Sequence, residues 1–63
     1  MYVNGKQIGC DYSNVKELLE KMNLDFEKVV VEVNKEIISK SQYDKKKIFD
    51  KDSIEIIGFI GGG

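Results

Sequence analysis

The chain has 63 residues, with 10 lysines and arginines against 11 aspartates and glutamates, one cysteine and no histidine. That is one small domain, in which about 60% of the unfolded surface is buried on folding, so little is left for a deep catalytic cavity. A net charge of −1 lacks the basic face of a nucleic-acid binder, one cysteine excludes an internal disulfide framework, and one cysteine without histidine leaves a structural zinc short of ligands. No apolar run approaches the ~18 residues of a membrane span, and the N-terminus has no signal-peptide pattern. A soluble cytoplasmic domain, touching neither membrane nor nucleic acid, is the expectation.

Met1-Tyr2-Val3 reads as a strand, and Asn4-Gly5 as a hairpin turn of the type that needs positive φ at both central residues. Lys6-Gln7-Ile8-Gly9-Cys10 returns as the second strand. Cys10 has no histidine to activate it and reads as a packing residue. Ser13 is placed to cap a helix over about 14–22, where Val15, Leu18, Leu19 and Met22 form one apolar stripe for the core. Glu17 and Lys21 stand at the spacing of an i,i+4 ion pair, and Asn23 suits the end of the helix.

Leu24 and Phe26 lead to Lys28–Val33, a strand by its valine content, with Val29, Val31 and Val33 on one face and Glu32 marking the wetter one. Asn34-Lys35 is a turn and Glu36–Ile38 a short strand. Ser39–Tyr43 is polar enough for a single helical turn. Lys45, Lys46 and Lys47 read as a solvated face rather than a phosphate site, given the acidic residues around them. Ile48-Phe49 is an apolar staple. Asp50 and Asp52 lack the remainder of a calcium loop and read as turn residues.

Ile54–Ile60 is the last strand. Ile54 and Ile56 should face the core, and Ile57 and Phe59 should join Glu55 on the opposite side, a candidate partner patch continued by Ile60. Gly61-Gly62-Gly63 bury nothing, while ordering each would cost about 1–2 kcal/mol of backbone entropy. They are expected to form a mobile tail beyond a domain at 1–60. Three extended residues reach about 10 Å, slim enough to thread a channel and deliver a carboxylate into another protein.

Strand, strand, helix and three further strands imply an α+β, two-layer domain with one helix on one face of a mixed sheet of about five strands. The last strand is expected beside the first, in the middle of the sheet. Asn4-Gly5, Val31–Ile38, Asp52–Ile57 and Phe59–Gly63 together resemble the ThiS family of sulfur carriers in thiamine biosynthesis, along essentially the whole chain. It departs at Val33 and Ser39, where members often carry arginine and proline.

The resemblance implies a ubiquitin-like β-grasp fold and a carrier rather than an enzyme. The Gly63 carboxylate would be adenylated by a ThiF-type enzyme, which uses ATP and magnesium while this chain binds no cofactor. Sulfur from cysteine, relayed by a cysteine desulfurase, would convert it to a thiocarboxylate, which would donate sulfur to the thiazole synthase ThiG. Gly61 and Gly62 would be the slim lead, and Ile57, Phe59 and Ile60 the docking contacts. A ubiquitin-like protein modifier, a sulfur carrier of another pathway such as molybdopterin synthesis, and a plain interaction module are the alternatives.

Overall fold

Two hairpins and one helix assemble around a strand that comes late in the chain. A computed structural model describes residues 1–9 and 11–58. In chain order it has β1 (Tyr2–Val3), β2 (Lys6–Gln7), α1 (Val15–Lys21), a 3-10 turn (Phe26–Lys28), β3 (Val29–Val33), β4 (Glu36–Ile38), a second 3-10 turn (Lys40–Gln42) and β5 (Ser53–Gly58).

Both hairpins close through two residues with positive φ. Asn4 and Gly5 have φ of 52° and 82°, and Asn34 and Lys35 have 53° and 71°. The first turn pairs Tyr2 with Gln7, and the second pairs Glu32 with Ile37. Lys35 takes the place that Gly5 holds in the first turn, and its Cβ makes that backbone costlier by about 1–2 kcal/mol.

The helix begins one residue later than Ser13 suggests. Asn14 is the cap, its Oδ1 accepting from the Glu17 amide at 2.8 Å, while Glu17 Oε1 accepts from the Ser13 amide at 2.8 Å. This reciprocal pair satisfies two orphan donors at the helix start. It also turns the Glu17 carboxylate away from Lys21, so the expected i,i+4 ion pair does not form. The helix ends with Asn23 at φ 59°. The Asn23 amide donates to Glu20 O and the Leu24 amide to Leu19 O, both at 3.0 Å, the double bond of a left-handed C-terminal turn. That turn leaves Met22 exposed, contrary to its place in the expected stripe, and brings Leu24 onto the core instead.

The five strands form one sheet in the order β2-β1-β5-β3-β4. β1 and β5 are parallel and the other neighbours antiparallel, so the late strand does lie beside the first in the middle. Val3, Val29, Val31, Val33, Ile38 and Ile54 are buried in one cluster with the helix residues Val15, Leu18 and Leu19.

Three loop residues complete that core: Met1, Tyr43 and Ile48. Tyr43 closes the far end, its hydroxyl donating to Val29 O at 3.4 Å and its ring meeting Phe26 edge-on at 5.9 Å. The Ile48-Phe49 staple splits. The Ile48 amide donates to Ser13 O and the Val15 amide to Lys46 O, which lays this segment beside the helix start. Ile48 is buried there, and Phe49 is exposed. Asp52 is a turn residue as expected, accepting from the Phe49 amide at 2.8 Å. Lys45 and Lys47 are exposed and Lys46 half-buried, in keeping with a solvated run.

Candidate functional site

β5 carries the chain toward its glycine tail, and the fold grips that strand on both flanks. On one side β3 pairs with it along its length, from Val33 opposite Ile54 to Val29 opposite Gly58. On the other side β1 reaches only to Val3, opposite Ile54. Asn4 takes over from there. Its amide donates to Ile54 O at 2.9 Å. Its side-chain Oδ1 then accepts from the Ile56 amide at 2.7 Å, and its Nδ2 donates to Ile56 O at 3.3 Å. A carboxamide has the donor and acceptor of a peptide unit, so the side chain stands in for the backbone that β1 lacks.

Asn34 does the same work at the start of β5. Its amide donates to Ser53 O at 2.7 Å, its Oδ1 accepts from the Ser53 amide at 2.9 Å, and its Nδ2 donates to Asp52 Oδ1 at 3.0 Å. The two turn asparagines therefore hold the two ends of the strand. Sequence reading assigned both to turns and missed this second role, because their partners lie far along the chain. An asparagine before a left-handed turn residue is the one local sign of it.

The two faces of β5 differ. Ile54 is fully buried and Ile56 packs against the core, while Glu55 is exposed and Ile57 is 50% exposed. Ile57 thus sits on the open face, as expected. The register sets Val30 beside it, and sets Glu32 between Glu55 and Ile37, which is 67% exposed. Tyr2, 47% exposed, lies opposite Ser53 on the same face. Lys6 is the single lysine within the five strands, and it pairs with Val3 on the other face. Phe59, Ile60, Gly61, Gly62 and Gly63, and Cys10, lie outside the described residues.

Elsewhere the described surface offers open depressions, one of them lined by Asp11, Tyr12, Glu17, Glu20 and Lys21. Among the described residues no group of three or more cysteines, aspartates or glutamates is placed to hold a metal ion. No helix among them is long and apolar enough to cross a membrane. Lys40 Nζ donates to Glu27 Oε1 at 2.8 Å, and this hydrogen bond with the Glu27 charge raises the Lys40 pKa above its usual value.

The fold and the sequence both have close relatives. The chain is 40% identical over 65 residues to the sulfur carrier protein ThiS of Bacillus subtilis, covering 100% of this chain and 98% of that one. It is 41% identical over 64 residues to a thiazole synthase of Paramagnetospirillum magneticum, of whose length it spans 20%. The crystal structure of the thiamine biosynthesis protein ThiS from Geobacter metallireducens superimposes with a TM-score of 0.81 at 36% identity, covering 98% of this chain and 96% of that one. The β-grasp expectation is therefore met. The model of the ThiS family matches residues 1–63, and the chain belongs to that family.

Proposed function

We propose that this chain is a sulfur carrier of thiamine biosynthesis, and that its working group is the Gly63 carboxylate. The observation that carries the reading is the central strand β5, bonded on both flanks and leading directly to Gly61-Gly62-Gly63. A rigid root sets the direction of the tail, and glycines keep it slim. The resemblance to a sulfur carrier along the full chain supports the same reading.

The chemistry then belongs to partners. A carboxylate is a poor electrophile, being anionic with a bad leaving group. In a ThiF-type enzyme supplied with ATP and magnesium, a Gly63 oxygen attacks the α-phosphorus, and pyrophosphate leaves. The acyl-adenylate has a good leaving group. A sulfur nucleophile derived from cysteine through a desulfurase adds to the carbonyl carbon and expels AMP, which takes one former carboxylate oxygen with it. The resulting thiocarboxylate is a competent nucleophile for ThiG. The likeness to a thiazole synthase supports ThiG as the acceptor. The carrier itself supplies position and docking contacts, with Ile57 on the open face and Phe59 and Ile60 beyond it.

Intact mass tests this. After incubation with the ThiF-type enzyme, ATP-magnesium, cysteine and a desulfurase, the protein should gain the mass of sulfur replacing one oxygen, localised to Gly63. An extra alanine after Gly63 should abolish the gain and leave folding untouched. Isopeptide adducts on lysines of other proteins, with no sulfur gain, would overturn the carrier reading in favour of a modifier.

A further inference from the structure

The open face of the sheet combines two features that a free-standing protein has no reason to keep together. Glu32 and Glu55 are direct cross-strand partners on β3 and β5, which places their Cβ atoms about 4.5–5.5 Å apart, and like charges directly opposite destabilise a sheet. Neither carboxylate has an ion pair or side-chain hydrogen bond with any other described residue. Around them stand Ile37, Ile57, Val30 and Tyr2, three of these being among the most exposed large apolar side chains of the described protein.

The cation that would settle the pair is not available on that face. The chain has no arginine, and the single strand lysine, Lys6, projects with Val3 toward the other side. A second copy of the chain is a poor occupant, since two such faces would set carboxylates against carboxylates.

Resting on the carrier reading above, we propose that this face docks the activating enzyme, and that one arginine of that enzyme, ringed by apolar side chains, seats between Glu32 and Glu55. A guanidinium presents its donors as a planar fork and can bridge two carboxylates, whereas an ammonium acts as a point charge. Ile37, Ile57 and Tyr2 exclude water around the contact, which strengthens it. The geometry of the tail fits. Five residues follow Gly58 and span at most about 18 Å, so an enzyme that holds Gly63 in its pocket has its body close to the end of β5.

The test is calorimetric titration of a ThiF-type enzyme with the full chain and with the double variant Glu32→Gln, Glu55→Gln, run at low and high salt. A parallel ATP–pyrophosphate exchange assay is run on the same samples. The double variant should bind about tenfold or more weaker, with a flatter salt dependence, and its melting temperature should be equal to or above that of the wild type. Unchanged affinity, or weaker binding accompanied by a lowered melting temperature, overturns the proposal, as does a wild-type chain that does not bind at all. Wild-type binding weakened by the variant but without any exchange leaves the docking face standing and sinks the adenylation reading instead.

Discussion

The two faces of β5 make opposite use of alternate residues. Ile54 and Ile56 point into the cluster under the helix and decide whether the domain folds. Glu55 and Ile57 point outward, where an acid opposes another acid and an isoleucine stays half in water. Alternation along one strand thus separates two demands one residue apart: the inner set is chosen for packing, the outer set against it. The outer set makes sense only when something else covers it.

Four variants probe that contrast. The largest effect belongs to the inner face. Ile54→Ala should remove about 2–5 kcal/mol, against the roughly 3–9 kcal/mol that a chain of this size commands at ~0.05–0.15 kcal/mol per residue. Urea titration should find the variant largely unfolded or nearly so, and sulfur loading should fall with it. Next comes the flank. Asn4→Gly keeps the positive φ but removes both side-chain hydrogen bonds to Ile56, which should cost about 1 kcal/mol. Amide exchange at Ile56 should quicken while Ile54 stays protected, and a uniform change across β5 would deny the clamp.

On the outer face, Ile57→Ala should shift stability by no more than about 0.5 kcal/mol yet weaken binding to the ThiF-type enzyme, as seen by titration. Equal affinity would remove Ile57 from the contact. The smallest effect is at the Lys40–Glu27 pair. A raised lysine pKa contributes stability fully below the unfolded value near ~10.4 and loses it only as pH rises through the folded value. Lys40 therefore adds no pH dependence between about pH 5 and 8, and Glu27→Gln should leave the urea midpoint there unmoved, because both groups are solvent-exposed.

Much of this was legible in residue patterns. The valine alternation of β3, the Ile54 and Ile57 faces and both hairpin turns need only neighbours in the chain. The features that escaped depended on distant partners. Tyr43 looked polar in context, yet its ring is sealed by Phe26 and its hydroxyl by Val29 O. Met22 kept the helical period, yet the Asn23 turn ended the helix before it could reach the core. Glu17 and Lys21 had the spacing of a pair, yet the nearer Ser13 amide took the carboxylate. For the site, the outward position of Ile57 could be read from alternation, whereas the facing of Glu32 with Glu55 needed the register of two strands that the sequence does not align.

The β1–β2 hairpin and the β3–β4 hairpin are never neighbours; β5 alone joins them, reaching back to Tyr2 from the far end of the chain. Folding must close that long loop before either hairpin gains a common sheet, so assembly is a single late event rather than a build-up of stable parts. A chain clipped ahead of Ser53 is consequently not a weak version of the protein but a pair of disconnected ribbons. The cell is spared half-finished copies that could sit on a partner and block it.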